Sequence, residues 1–187
     1  MTDLVPRIAP VSLEEYESLY RSIFGKDVPG DEQPVLNITL TWARHPKLFA
    51  GQRAYQLYLR NEQGLPKRDK ELAILRTGWL CRAEYEFGQH TTIGKRAGLT
   101  DEDVLRVTLG PEAEGWTPHE SALLRAVDEL LNDHKVSDQT WAVMSETYDD
   151  CQLMDFLVVV GRYWTVSALA NSVGIQREPG TPGFPQS

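Results

Sequence analysis

The sequence predicts an all-α protein, and three observations support this class. Apolar residues recur at spacings of three and four over long segments, which is the period of an amphipathic helix. Several of these segments begin with a hydroxyl side chain placed to cap a helix: Ser12, Thr100, Thr117 and Ser137. The β-branched cluster at 158–160 lies inside a longer apolar run, whose length favours a helix. We expect about seven to eight helices packed as a bundle in one domain spanning residues 1–187.

The first helix belongs to an N-terminal helical extension of about residues 1–33. Ser12 and Glu15 have the spacing of a capping box, which predicts a helix over about 13–24. The residues from 25 to 33 contain glycine, proline and acids, a composition typical of a loop. We interpret this loop as a plain connection, with a cover over a pocket as the alternative.

Prolines and glycines set the limits of the middle helices. Pro34 and Pro46 are each placed to open a helix, because proline is preorganised for the first helical position. Gly64 and Pro66 break the chain before the next helical stretch. Gly98 is expected to close that stretch as a C-terminal cap.

The C-terminal helices begin at Thr100, Thr117 and Ser137, where capping residues precede apolar periodic segments. A last helix, from about 150 to 172, is apolar around nearly its whole circumference. Such a helix is typical of the centre of a bundle or of a subunit interface. The residues from about 176 to 187 have no pattern and are expected to form an irregular tail that is mobile or wraps a partner.

Composition limits the classes of function. The net charge of -8 argues against a surface for nucleic acid or for anionic membranes. Cys81 and Cys151 have neither CxxC nor zinc-ligand spacing, which indicates a reducing compartment. No apolar run is expected to reach the roughly 18 residues of a membrane span. We therefore expect a soluble, cytoplasmic protein that binds a small molecule or copies of itself.

One stretch, residues 70–90, places two acids and a histidine in otherwise apolar helical sequence. Glu86 and His90 are one turn apart on a face that is expected to be buried, and Glu71 lies on the preceding helical segment. A glutamate in this position can fix the tautomer of the histidine and raise its pKa, so that the pair transfers protons near neutral pH. Spacing alone favours the alternative, in which Glu84 and Glu86 occupy the first turn only because of the helix dipole.

Other chemistries have less support in the residues. Glu71, Glu86 and His90 resemble a two-carboxylate, one-histidine metal set, but they lack the Glu-x-x-His or His-x-x-x-His spacing of helical metal sites, and we expect no metal. Cys81 lies near the start of the His90 helix, where a thiol pKa can fall, but it has no resolving partner. No phosphate loop, nucleophile elbow or dinucleotide fingerprint is present, so we expect no cofactor.

The stretch from Lys70 to His90 resembles the carboxymuconolactone decarboxylase family, which shares its fold with alkylhydroperoxidase D. Three flanking segments extend the resemblance to roughly residues 40–175: His45 to Leu48, Ala97 to Val104 and Gly161 to Gly174. In the peroxidase branch, a glutamate precedes a Cys-x-x-Cys-x-x-x-His motif. Glu71 matches that glutamate, but the two cysteine positions fall on Ala83 and Glu86. Dithiol peroxidase chemistry needs both sulfurs, so the resemblance favours the other branch.

For the branch without the cysteine pair, the resemblance rests on the run from Tyr85 to Phe87 and on His90. It implies an alkylhydroperoxidase D-like helical bundle that assembles into homotrimers or homohexamers. It also implies cofactor-independent lyase chemistry on a γ-lactone acid, in the catabolism of aromatic compounds. Loss of carbon dioxide from such an acid leaves a dienolate, which an acid must protonate.

The resemblance implies roles for several residues of this stretch. His90 is the expected proton donor, oriented by Glu71 or Glu86. Further candidates for contacts with substrate are Tyr85, Arg76 and Arg82, although Arg76 can equally pair with a structural acid. Two alternative functions stay open: an alkylhydroperoxidase-like or thiol-dependent antioxidant activity through Cys81, and a non-catalytic oligomeric binding protein.

Overall fold

The computed structural model describes residues 5–30 and 34–185, and all regular secondary structure in these residues is helical. The helices are α1 (Leu13–Phe24), α2 (Asn37–Trp42), α3 (Pro46–Asn61), α4 (Lys67–Leu80), α5 (Glu84–Arg96), α6 (Asp101–Leu109), α7 (Pro118–Asp133), α8 (Asp138–Ser145) and α9 (Asp150–Val173). The all-α class is confirmed, with one helix more than the upper expectation within the described residues. Residues 31–33 of the predicted loop lie outside the described residues.

The predicted N-terminal caps are present. Ser12 and Thr117 each accept a hydrogen bond from the backbone N–H three residues later, and the glutamate at that position bonds back to the cap. Thr100 makes the same reciprocal arrangement with Asp103, and Ser137 accepts from Thr140. These helix starts depend on neighbours in sequence only, because each capping bond satisfies a backbone donor of the first turn.

The start of α2 differs from the prediction. Pro46 is the first residue of α3, as expected, but Pro34 precedes α2 without belonging to it, and α2 begins at Asn37. Leu36, the cap residue, offers no side-chain bond. Instead, the backbone N–H of Asn37 donates to the Glu178 carboxylate at 2.7 Å. An acid distant in sequence thus caps α2, and no local pattern indicates this contact.

The chain divides into two compact units. The first contains residues 1–62 and 172–180, and its core is an aromatic cluster of α1 and α3: Tyr16, Tyr20, Phe24 and Phe49, with neighbouring ring centroids 4.7–6.5 Å apart. The second contains residues 63–171 and 181–187 and includes α4 to α8 and most of α9. The single-domain organisation stays a prediction.

In the second unit α4 is the central helix. It packs against α5, α6 and α7, and every residue from Glu71 to Gly78 is buried. The apolar helix α9 is less enclosed, because Met154 is 66% exposed and Trp164 is 54% exposed. The centre of this unit is therefore occupied by α4 and not by α9. The other role expected for α9, a subunit interface, stays a prediction.

Helix α9 is also, among the described residues, the one helix with the length and apolar composition of a membrane span. The expectation that no segment reaches this limit is therefore wrong for α9, whose few charges do not interrupt its hydropathy. Length and apolar composition are weak evidence for a membrane span, because the core helix of a soluble protein can have both. Phe156, Val159 and Val160 are buried inside the protein, as in a core helix.

The described part of the C-terminal tail, residues 176–185, is irregular, as predicted, and residues 181–185 lie against helices of their own unit. The ring of Phe184 lies 5.1 Å from that of Trp79 and 5.2 Å from that of Phe87, both in edge-on geometry. The carbonyl oxygen of Pro182 approaches Gly88 so closely that any Cβ at this position would overlap it. Gly88 is therefore the residue that permits the tail to pack on α5.

Candidate active site

Helices α4 and α5 form a hairpin that brings the predicted site residues together. The turn between them is tight: the Ala83 N–H donates to the Gly78 carbonyl at 2.8 Å, and Arg82 adopts a left-handed φ of 52°. Gly78 lies directly against the backbone of Phe87, so the two helices approach closely. As a result, Glu71 faces residues of α5 that are distant in sequence.

His90 lies between two carboxylates. Its Nδ1 is 2.6 Å from Glu71 Oε2, and its Nε2 is 3.1 Å from Glu86 Oε1. All three side chains are buried: Glu71 is 3% exposed, Glu86 is 5% exposed and His90 is 7% exposed. Spacing placed Glu86 and His90 one turn apart but favoured the helix-dipole explanation, and the family resemblance added Glu71. The structure places all three residues in one buried triad.

The two carboxylates determine the protonation state of His90. Burial by itself lowers the pKa of the imidazole, but the charge of Glu71 and the hydrogen bonds to Glu71 and Glu86 outweigh it and raise the pKa to about 10. Each carboxylate accepts a hydrogen bond from one ring nitrogen, and only the imidazolium carries an N–H on both nitrogens. Near neutral pH, His90 is therefore a buried cation with a donor on each side.

Tyr163 is a fourth member of the site that sequence reasoning did not select. It lies on α9, and its ring meets that of His90 edge-on, with centroids 4.8 Å apart and an interplanar angle of 84°. Burial and the nearby charges of Glu86 and Glu71 raise the pKa of its hydroxyl, which stays protonated. The segment that contains Tyr163 contributed to the family resemblance, but no spacing connects this residue to α5.

Arg76 has a structural role. Its guanidinium forms a bidentate pair with Asp128, with bonds of 2.6 and 2.8 Å, and donates to the Val107 carbonyl at 2.8 Å. Gly110, with φ of +102°, packs against the same guanidinium. The alternative that Arg76 pairs with a structural acid is the one that the structure supports.

The other two candidates for substrate contacts lie at different depths. Tyr85 is a buried residue of α5, whereas Arg82 is exposed in the turn between α4 and α5. Their roles toward a substrate stay predictions.

Cys81 does not have the environment of a reactive thiol. It is the C-cap of α4 and is half-buried, and burial raises the pKa of its thiol. A raised pKa reduces the thiolate fraction on which thiol chemistry depends. Cys151 is exposed at the start of α9.

Within residues 5–30 and 34–185, no group of three or more metal-ligating side chains has the geometry of an ion site. In the triad, each nitrogen of His90 is already bonded to a carboxylate. The expectation of a metal-free site stays a prediction.

Comparison with solved structures defines the class of protein as the alkylhydroperoxidase D-like fold. A protein of unknown function from Agrobacterium tumefaciens, named as a candidate antioxidant-defence protein AhpD, is 20% identical, with a TM-score of 0.67 over 73% of this chain and 94% of that chain. An AhpD-core, peroxidase-related protein from Ralstonia eutropha JMP134 is 18% identical, with a TM-score of 0.73 over 92% and 93%. The debrominase Bmp8 in complex with 2,3,4-tribromopyrrole is 11% identical, with a TM-score of 0.73 over 95% and 94%. At these identities the similarity shows the fold alone.

The sequence profile of the carboxymuconolactone decarboxylase family matches residues 46–129. This segment of the chain is similar to the carboxymuconolactone decarboxylase family. The matched segment contains Glu71, Glu86 and His90 but ends before Tyr163. A comparison with curated proteins found no match.

Proposed function

We propose that the chain is a cofactor-independent lyase of the carboxymuconolactone decarboxylase type, which acts on a lactone or related cyclic acid by proton transfer through His90. The observation that carries this proposal is the hydrogen-bonded series Glu71–His90–Glu86, buried between α4 and α5. It holds an imidazolium in a site of low water content, where a proton donor is most effective.

In the proposed reaction the substrate carboxylate leaves as carbon dioxide, and the electron pair of the broken C–C bond passes into the lactone to give a dienolate. His90 then donates the proton on Nε2 to carbon. We assign the transfer to Nε2 because its bond to Glu86, at 3.1 Å, is longer than the 2.6 Å bond of Nδ1 to Glu71. Glu71 stays bonded to the ring, and a proton from solvent restores the imidazolium.

Glu86 has a different part in this mechanism from Glu71. Its carboxylate must release Nε2 for the transfer, and afterwards it can accept the bond again and guide a proton back to the ring. Because Glu71 bonds the opposite nitrogen, the tautomer and the ring orientation are kept through the cycle. Glu71 thus orients the imidazole ring, and Glu86 takes part in the exchange of the proton at Nε2.

A peroxidase-like activity has little support in this site. The positions of the two redox cysteines hold Ala83 and Glu86, and the pKa of Cys81 is raised. The alternative that a specific observation favours is a non-catalytic binding protein, since the triad side chains are almost completely buried.

The test is turnover of a panel of carboxylated butenolides in deuterium oxide, followed by carbon dioxide release and by NMR detection of deuterium in the lactone product. The wild type should introduce one deuterium at the carbon that is protonated. His90→Gln should reduce the rate by about 10²- to 10⁴-fold, the usual contribution of a general acid. If His90→Gln and Glu71→Gln both retained the wild-type rate, the assigned roles would be wrong; if the wild type turned over no member of the panel, the binding protein would be favoured.

We also propose that the protein assembles with copies of itself, as a trimer or hexamer, in the cytoplasm. This is supported by the family resemblance and by the exposed apolar side chains of α9, among them Met154, Val158 and Trp164. Partners other than a small-molecule substrate and the chain itself, such as nucleic acid or membrane, are not proposed, given the net charge of -8. Light scattering after size-exclusion chromatography tests the assembly, and Trp164→Glu should dissociate it.

A further inference from the structure

Tyr163 differs from the rest of the site in the state of its polar group. Its hydroxyl forms no hydrogen bond with the residues that the structure describes. It is also not among the fully buried side-chain atoms that lack a partner in the described residues, which are His119 Nδ1 and Ser167 Oγ. The residue as a whole is half-buried. The ring of Tyr163 therefore contacts the buried imidazole, while its hydroxyl makes no hydrogen bond to the described part of the protein.

We infer that Tyr163 is a substrate-contacting residue, whose hydroxyl donates a hydrogen bond to the enolate oxygen that develops from the lactone carbonyl. This inference rests on the proposed function and extends it by a second donor. His90 would supply the proton to carbon, and Tyr163 would stabilise the charge on oxygen. The ligand class is the enolate of a five-membered lactone or a related cyclic acid.

The site needs such a donor for electrostatic reasons. The triad contains one cation and two carboxylates, so it has no excess positive charge to offer an oxyanion. Arg76 is bonded to Asp128 and to a backbone carbonyl and is not available. Because a phenol that stays protonated is a neutral donor, it stabilises an oxyanion at little desolvation cost, as in other preorganised oxyanion sites.

A second tyrosine in the same unit shows what a structural arrangement looks like. Tyr148 also meets a histidine edge-on, with 4.7 Å between its ring centroid and that of His119 and an interplanar angle of 85°. Its hydroxyl, however, donates to Asp69 Oδ2 at 2.6 Å. The two ring contacts are nearly the same, and only the hydroxyl of Tyr163 lacks an acceptor. This difference makes Tyr148 the matched control.

The experiment measures binding of tetronic acid, a γ-lactone whose enolate is stable at neutral pH, by calorimetry, with γ-butyrolactone as the neutral ligand for comparison. We expect Tyr163→Phe to weaken tetronate binding by about 10-fold, the value of one hydrogen bond to a charged group. Its melting temperature should stay within about 1 °C of the wild type, because no protein hydrogen bond is lost. Tyr148→Phe should do the opposite, with a lower melting temperature and unchanged tetronate affinity.

The inference would be overturned by wild-type tetronate affinity in Tyr163→Phe, or by a loss of thermal stability in Tyr163→Phe as large as that in Tyr148→Phe. A wild type that does not bind tetronate would overturn it as well. The proposed function fails separately, in the turnover assay: a protein that binds tetronate through Tyr163 but releases no carbon dioxide from any carboxylated butenolide has the contact without the lyase activity.

Discussion

Glu71 Oε2 and His90 Nδ1 are 2.6 Å apart, although nineteen positions separate the two residues in sequence. This bond joins α4 to α5 inside the second unit, where both side chains are almost completely buried. It therefore has two consequences that can be measured separately, one for the protonation of the imidazole and one for the stability of the helical hairpin.

Glu71→Gln should lower the pKa of His90, because the substitution removes the charge that contributes most to raising it. The measurement is an NMR titration of the imidazole C–H signals from pH 5 to 11. Glu84→Gln is the control, since it removes one negative charge at an exposed position in the first turn of α5. An equal drop in the pKa of His90 in both variants would contradict the assignment of the raised pKa to the contact with Glu71.

The stability of the protein should decrease as the pH rises from about 6.5 to about 10. The pKa of His90 is raised from 6.5 to about 10 in the folded state, so the folded protein holds a proton that the unfolded chain releases. The stabilisation is fully present below 6.5 and is lost as the pH passes through the folded value. Urea unfolding of the wild type and of His90→Gln at pH 6, 8 and 10 measures it. The difference between the two should shrink across this range, and a constant difference would contradict the assignment.

Arg76→Met should destabilise the fold by about 3 kcal/mol, because it leaves the Asp128 carboxylate and the Val107 carbonyl without their buried partner. Urea unfolding provides the value. Arg125→Met is the control: Arg125 pairs with the exposed Glu112, and such pairs contribute about 0–1 kcal/mol. Tetronate affinity of the folded Arg76→Met protein should equal that of the wild type. A loss of tetronate affinity in the folded Arg76→Met protein would instead support a substrate contact for Arg76.

Gly88→Ala should displace residues 181–185 from α5, because its methyl group would overlap the Pro182 carbonyl oxygen. We expect faster hydrogen–deuterium exchange in this segment and greater exposure of Phe184. Gly51→Ala in α3 is the control, since a Cβ there meets no atom within 4 Å and alanine favours a helix by about 1 kcal/mol. Unchanged exchange in Gly88→Ala would mean that the tail adapts without leaving.

Much of the fold was predictable because its signals are local. The capping boxes at Ser12, Thr100 and Thr117 act within one turn, and so does the bond between Glu86 and His90. Local patterns fail where a distant segment intervenes. The start of α2 depends on Glu178. In α5, Ile93 lies three residues after His90, at the spacing that predicts a shared face, but it is 40% exposed. A periodic apolar pattern indicates which face of a helix is buried, but the elements packed against the helix determine how far along that face the burial extends.

The sequence by itself determined the helical class, most helix starts and the single turn that separates Glu86 from His90, because these follow from hydrogen bonds and side-chain directions within a few residues. Only the tertiary structure decided that Glu71 takes the opposite nitrogen of the same ring, that Arg76 is committed to Asp128, and that Tyr163 lies against the imidazole. These contacts join different helices, and no periodicity relates them. The proton chemistry proposed for His90 depends on both kinds of information: one acid within a turn of it and another that only the packing of α4 on α5 supplies.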